Sequence, residues 1–588
     1  MIIEKLKDLT NNISQSNLKV FLILTFFVTG VYFQSLSFDF VALDDYDLIV
    51  NKQHILRDLK NIPYIFQTNL LISDSGVYYR PVVMLSFMID ALIGGKDPFM
   101  YHLSNIVYHL VASFLLFLLL KSLTENKFKS FLLSLIFSIH PAISQAVSWI
   151  PGRNDSLLSL FLSLSLIALI KSQSDDKNNK QILIILSLIS FFISLLVKEN
   201  ALLLLLFILL YLIFLNNEKL SYVKILRIFL LYLIPVIIYF ILRTKAEIKS
   251  LEIENLTISL TDYIKGLINY FGKIFLPINL SVLTLPENIN LIYGISTFLI
   301  FALLSLNGIN NIKLYVFGIL WFLFFSISGM IGLIGFTNFL DHRLYVPIAG
   351  ILISLSQMRI FDQLKSFIIF IALSICLIFF VYLNLQHTKN FSDPLNFYES
   401  ASKTSPESFF VHRGLANVYH RMNKYDLAEK HYRLSISLNP NSAETFLNFG
   451  INFKKKGMLD SAEFYFIKAI QKNPELSTAY NNLGNLYLQK NLLDRSELNL
   501  KQAIRINPNY FEAYNNLGVL YAKKKNDLLA YKYFRKSIDI NPFFAEGYFN
   551  LALYFFNQNK IDSSSYYYQK AIQLGFPENN ILKDKLKK

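Results

Sequence analysis

A series of apolar runs of membrane-spanning length fills the first two thirds of this chain, and nothing else in the sequence limits its fold as strongly. A helix needs about 20 mostly apolar residues to cross the hydrocarbon core of a bilayer. Runs near that length lie at roughly 18–38, 101–120, 130–150, 155–170, 181–197, 200–216, 222–242, 290–306, 314–335, 344–357 and 366–386. They predict an all-α membrane bundle of about 11 spans. Lipid offers no partner to an unpaired backbone N–H or C=O, so such runs must be helical. The last third of the 588 residues has ordinary soluble composition, so the chain divides into two regions of different class.

The charge follows the same division. A formal net charge of +15 in a soluble protein would point to nucleic acid. Here the cations gather in short loops between apolar runs and at the C-terminus, which argues against that class. Lys5 and Lys7 precede the first run, which reads as a retained span and not a removed signal peptide. Lys121, Lys127 and Lys129 follow the second run, Lys171, Lys177 and Lys180 the fourth, and Lys219 and Lys224 the sixth. Lys313 follows the eighth, and Arg359 and Lys365 the tenth. All of these share one side if the N-terminus is cytoplasmic. Residues 262–282 carry Asp262, Lys265 and Lys273 and read as interfacial or re-entrant, since a span there would break this parity. The lone cysteine, Cys376, allows no disulfide within the chain.

The soluble region repeats. Asn-Pro recurs at 439–440, 473–474, 507–508 and 541–542, 34 residues apart each time. That period is the signature of the tetratricopeptide repeat (TPR), a helix pair that stacks into a solenoid. Phe446, Tyr480, Tyr514 and Tyr548 share one aromatic position, and Ala462, Ser496 and Ala530 one small position. Five repeats are expected over 407–578, after a linker at 391–406 and before a basic tail at 579–588. Asn448, Asn482, Asn516 and Asn550 form a second ladder on the first helix of each repeat. An amide both donates and accepts, so a line of them along the concave surface can hold a peptide backbone. It resembles the asparagine ladder of the O-GlcNAc transferase groove. Solvated helix residues are the plain alternative.

The remaining polar motifs fall on the side opposite the lysine loops. Asp44-Asp45 opens a long first outer loop, 39–100. A carboxylate is expensive at the bilayer centre, so the pair belongs at the interface, as a solvated turn, a helix cap or a site. Pro151-Gly152-Arg153-Asn154-Asp155, Lys198-Glu199-Asn200 and Asp341-His342-Arg343 occupy other outer turns. Each alone is more often a cap or an anchor. Their gathering on one face is what a site at that interface requires.

Several motifs occur in order: Phe40-Val41-Ala42-Leu43-Asp44-Asp45, Tyr79-Arg80-Pro81-Val82, Leu85-Ser86-Phe87, Asp90 and Tyr101-His102-Leu103-Ser104-Asn105. His140-Pro141, Trp149 through Asp155 and Lys198-Glu199 follow. The set resembles the transmembrane-and-TPR O-mannosyltransferases of the GT-C glycosyltransferase class and their bacterial relatives. Leu43 and Pro151 depart from the animal pattern. The resemblance spans nearly the whole chain. It implies a GT-C-like domain over 1–390 in a bacterial inner membrane, with the repeats outside the cytoplasm. It also implies transfer of mannose from a polyprenyl-phosphate donor to a hydroxyl acceptor such as protein Ser or Thr.

For that chemistry Asp44 or Asp45 is the expected base. Arg153, Lys198 and Arg343 are the expected phosphate ligands. Asp155, Glu199 and His342 would orient those cations, while Arg80 and His102 form walls. Neither a metal nor a cofactor is expected to be required. The competing readings are a lipid-linked sugar flippase with a TPR docking domain and a membrane-anchored TPR scaffold without chemistry.

Overall fold

The computed structural model describes residues 16–41, 44–71, 78–173, 179–216, 220–246, 260–283, 290–331, 340–363 and 366–586. Lys5, Lys7, Ala42, Leu43, Lys177, Lys219 and Lys365 lie outside the described residues. The chain is all helix and forms two compact units, Met1–Pro406 and Glu407–Lys588.

The first unit runs through α1 (Asn17–Tyr32), the short α2 (Asp44–Leu48), α3 (Pro81–Gly94), α4 (Pro98–Thr124), α5 (Lys127–Ser138), α6 (Arg153–Ser172) and α7 (Lys180–Val197). It continues through α8 (Leu204–Leu210), α9 (Tyr222–Lys245), α10 (Leu260–Phe275), α11 (Leu291–Leu306), α12 (Ile312–Ile331), α13 (Pro347–Ser356), α14 (Ser366–Thr388) and α15 (Pro394–Thr404). Among the described residues, seven helices are long and apolar enough to cross a membrane, or up to eight with one bent pair. Three further runs, Glu199–Leu215, Leu291–Leu306 and Pro347–Ser356, form shorter apolar helices.

Burial orders the bundle. The most apolar stretch of the α6 span is 72% buried, against 28% for α9 and 22% for α14, so α6 is central and the other two face outward. α6 packs between α4 and α7. α12 and α13 meet through Gly318 and Gly350, where a Cβ on either would lie 2.4 Å from the other's carbonyl oxygen. Glycine permits this approach because it has no side chain to separate the backbones. α1 and α14 run parallel: the Gln34 amide donates to the Leu385 carbonyl and the Asn384 amide to the Tyr32 hydroxyl. The Asp39 N–H donates to Ser392 O at 2.8 Å. The chain therefore leaves its last apolar helix beside the start of the segment that follows its first.

Three sequence expectations change, and the interruption expected at His140-Pro141 is given its geometry. The 39–100 segment is not all loop, because Pro81 opens the apolar α3 and Gly95 closes it with φ 63. The run at 130–150 is broken at Ile139-His140, and its halves bend by 53°. Pro141 explains the break: it has no N–H and bars its predecessor from helical geometry. The 391–406 linker is largely α15, whose first turn is capped by Asp393 and opened by Pro394. The C-terminal tail carries a last helix, Asn580–Leu586, with Leu582 buried against Ala552 and Tyr568.

The second unit stacks five helix pairs, from Phe409–Arg421 with Tyr425–Leu438 to Ala545–Asn557 with Ile561–Gln573. The small residues sit at the close approaches: a Cβ on Gly450, Gly484 or Gly518 would strike Phe466, Leu500 or Phe534 of the paired helix.

Candidate functional site

The break before Pro141 folds residues 139–152 back into the first unit. Gly152 is essential to this turn, since a Cβ there would lie 2.8 Å from Gln145 O and Ala146 Cα. The turn carries Trp149 to the polar end of the bundle, between two groups of ionisable side chains.

The first group is the acidic pair. Asp45 is fully buried, and its Oδ2 accepts from the Val41 N–H at 2.7 Å. Its Oδ1 lies near the Trp149 indole N–H, and the His102 ring lies near the Asp39 backbone, but neither approach reaches full hydrogen-bond geometry. Burial lifts the Asp45 carboxyl well above the usual carboxylate range, the Val41 N–H opposes this, and Asp44's charge adds to the rise. Asp44 differs from its neighbour. Its side chain is exposed, while the protein packed around it raises its pKa by desolvation to about 6. The Asp47 charge adds to the rise and the Arg80 guanidinium works against it.

The second group lies on the other side of Trp149, whose ring is 5.5 Å from that of His342. Arg80 holds Glu199 through two nitrogens, at 2.6 and 3.2 Å, and its guanidinium lies 4.3 Å from the Tyr78 ring centre. Lys198 pairs with Asp155 Oδ1 at 2.6 Å. Asp155 Oδ2 has no hydrogen bond among the described residues and lies 3.9 Å from His342 Nε2. Burial holds His342 down at about 3, so it stands as a neutral ring even beside Asp155. Lys198 is also lowered, by burial first and then by Arg80 and Arg343, against the pull of Asp155. Arg343 donates to the Gly329 carbonyl and has no carboxylate partner among the described residues. Three cations, Arg80, Lys198 and Arg343, thus share a site with two carboxylates, Asp155 and Glu199. The surplus positive charge and the unpaired buried atoms suit an anionic, hydrogen-bonding ligand.

Arg153 is the exception among the expected phosphate ligands. It is fully buried and its guanidinium is occupied: Nε donates to Asn105, Nη1 to Asp90 at 2.6 Å and to Ser86, and Nη2 to Tyr101 O. Four of its five N–H groups are thus engaged and the side chain is fully enclosed, so Arg153 acts in this fold as a tie between α3, α4 and α6. Its partner Asp90 also accepts from Ser104. Two contributors had no assigned role in the sequence reading. Trp149 stood within a motif, and Lys273, taken as an interfacial lysine, pairs with Asp341 at 2.6 Å and anchors the turn that presents His342 and Arg343. Among the described residues no group of three or more His, Cys, Asp or Glu is placed to hold a metal ion.

In the repeat unit the asparagine ladder is partly occupied. Asn516 donates to Asn481 Oδ1 and Asn550 to Asn515 Oδ1, both at 2.8 Å, while Asn482 donates to Thr478 O. Neighbouring repeats are thereby stitched together. The amide donors of these three residues are engaged inside the array, and all four ladder residues are half-buried.

Comparison with known proteins agrees with the repeats and names relatives. The tetratricopeptide repeat family matches residues 414–442, 477–510 and 511–544, and a second TPR repeat description matches 496–525. The chain has partial relatives among the transmembrane-and-TPR O-mannosyltransferases. Protein O-mannosyl-transferase TMTC2 of Mus musculus is 36% identical over 146 residues, 24% of this chain and 17% of the relative. Protein O-mannosyl-transferase TMTC3 of Homo sapiens is 31% identical over 168 residues, 28% of this chain and 18% of the relative. Each match therefore spans less than a fifth of the curated relative's length. The crystal structure of TTC0263, a TPR protein of Thermus thermophilus, is 19% identical with TM-score 0.28, covering 31% of this chain and 97% of that one.

Proposed function

We propose that this chain is a membrane glycosyltransferase that moves a sugar from a polyprenyl-phosphate donor to a hydroxyl acceptor. The observation that carries the reading is the placement of an exposed carboxylate, Asp44, near Arg80 in a cluster of three cations and two carboxylates. The acceptor oxygen attacks the anomeric carbon, its proton passes to Asp44, and the bond from that carbon to the phosphate oxygen breaks. The polyprenyl phosphate leaves with the electron pair. Lys198 and Arg343 meet its negative charge, with Arg80 behind them. A base works best with a pKa near the working pH, which favours Asp44 over the enclosed Asp45. Asp45, tied to Val41, holds the loop. Asp155, Glu199 and His342 position the cations, and His102 lines the site. No step uses a metal.

Mannose as the sugar and protein Ser or Thr as the acceptor follow from the relatives' names. The repeats, with the half-buried asparagine ladder along them, are the recruiting surface. Eleven crossings give the topology. α1 and α14 run parallel, which requires an odd total, and the lysine loops put the N-terminus in the cytoplasm. The array then emerges on the outer face of a bacterial inner membrane.

The test compares wild type, Asp44→Asn and Asp45→Asn for hexose on exported and membrane proteins by mass spectrometry. Asp44→Asn abolishes transfer while the protein still accumulates in the membrane. Hexose at the wild-type level in Asp44→Asn rejects the assignment.

A further inference from the structure

The membrane helices carry a second polar feature at their far ends. His102 in α4, Asp155 in α6 and Glu199 before α8 all lie at the candidate site. The opposite ends of these helices converge, with Gln173 and Asn216, on a cavity of about 690 Å³. The 18 residues from Asp155 to Gln173 rise about 27 Å in a helix, close to the thickness of the hydrocarbon core. The cavity therefore belongs to the other membrane interface.

Its walls are polar but nearly uncharged. They include the amides of Gln173, Asn216, Asn310 and Gln357, the Tyr211 ring and one carboxylate, Glu125. Gln173 is 4% exposed, and its Oε1 has no hydrogen bond among the described residues. The same holds for the buried Asn216 Nδ2. One acceptor and one donor thus await a ligand that offers both. Beside the cavity lies an apolar groove of about 280 Å³ between α12 and the end of the 199–215 helix, lined by Phe214, Val316 and Phe317. Leu215 lines both spaces, and the exposed Lys313 lines the groove and forms no ion pair among the described residues. Where they meet, Tyr211–Leu215 is a π-helical turn, a geometry that recurs at functional sites.

We propose that this cavity and groove bind one membrane lipid whose headgroup is a polyol carried on a phosphate. Its chain lies in the groove, its phosphate meets Lys313, and its hydroxyls bond Gln173 and Asn216. A polyol hydroxyl both donates and accepts, matching the two free amide atoms. An ethanolamine ammonium only donates and leaves Asn216 unpaired. Lys127 and Lys171 lie at this same end and draw anionic lipid toward it. The inference goes beyond the transfer reaction and does not depend on it.

The test is native mass spectrometry of the full chain in detergent, loaded with equal amounts of phosphatidylinositol, phosphatidylglycerol and phosphatidylethanolamine. Wild type retains one phosphatidylinositol or phosphatidylglycerol at least fivefold over phosphatidylethanolamine. Gln173→Leu and Asn216→Leu lower that preference fivefold or more. Leu215→Trp, which blocks the junction and alters no amide, removes retention, and Asp44→Asn leaves it unchanged. Melting curves identify a variant that fails to fold, in which case Gln173→Glu, of the same shape but repelling the phosphate, decides the matter. Equal retention of the three lipids, or undiminished preference in the folded variants, overturns the proposal.

Discussion

Asp44 and Asp45 are adjacent in sequence and opposite in circumstance. One is exposed, while the other is sealed and bonded to Val41. If Asp44 is the base, it must be ionised to act. Its pKa of about 6 then predicts that kcat/KM falls tenfold per unit as pH drops below that value and levels off above it. Arg80 lowers this pKa, so Arg80→Gln removes a stabilising charge and also frees the Glu199 carboxylate. Both effects raise the Asp44 pKa, and the acid limb moves to higher pH. A pH–rate profile of the two proteins checks the direction. An unchanged limb would sink the assignment of the limb to Asp44. Arg153 makes the contrasting case. Losing one member of a buried ion pair strands the other, at about 3–5 kcal/mol. Arg153→Met should therefore appear as lost thermal stability with donor KM unchanged in whatever folds. Arg153→Met with Asp90→Leu should recover part of that stability, because no buried charge remains alone.

At the scale of elements, the glycine contact between α12 and α13 anchors α13, whose first residue, Pro347, closely follows Asp341, His342 and Arg343. Gly350→Val puts side-chain atoms where the Gly318 carbonyl already lies, 2.4 Å from the Cβ. The helices must part, and Trp321, whose indole donates to Val346 O, must lose that bond. The chain holds only two tryptophans, so a red shift in emission reports the change and the melting temperature should fall with it. Much of this architecture was legible beforehand. Apolar length marked the helices, and a 34-residue period marked the repeats, because both are properties of one sequence read along itself. His140-Pro141 marked an interruption but not its angle, and the apolar helix hidden in 39–100 was harder, since a short run with a proline fits a loop or a helix equally. The roles of the arginines were not legible at all. Arg153 and Arg343 carry the same charge in similar turns, and only the fold decides that one is enclosed by Asp90, Ser86 and Asn105 while the other has no carboxylate. Lys273 escaped for the same reason, because its partner Asp341 lies 68 residues away.

At the scale of the whole molecule, each unit has its own hydrophobic core, one running through the membrane helices and others through the stacked repeats. The repeats are further joined by a recurring clamp. Lys456, Lys490 and Lys524 each reach an Asp and a Glu of the preceding repeat, at 2.5–2.8 Å. Exposed pairs of this kind contribute about 0.2–1 kcal/mol, so Lys490→Ala should move the unfolding of the array only slightly, and less still in high salt. The acid response is sharper. Glu497 is held down at about 2, first by its bonds to Lys501 and Lys524. A carboxyl depressed on folding stabilises the array above its unfolded pKa of 4.5 and loses that contribution as pH falls toward 2. Independent cores also mean that the function can be divided. A chain ending at Pro406 keeps every residue of the candidate site and the whole membrane core. It should transfer sugar to a short hydroxyl-bearing peptide at a rate within a few fold of wild type, yet modify intact proteins poorly. Replacing Asn482 and Asn516 with Ala in the full chain should reproduce part of that second defect. Since Asn516 also ties its repeat to the preceding one, the melting curve of the variant must accompany its activity. Weak protein modification with an unchanged melt assigns the asparagines to the acceptor, whereas a lowered melt returns them to the solenoid.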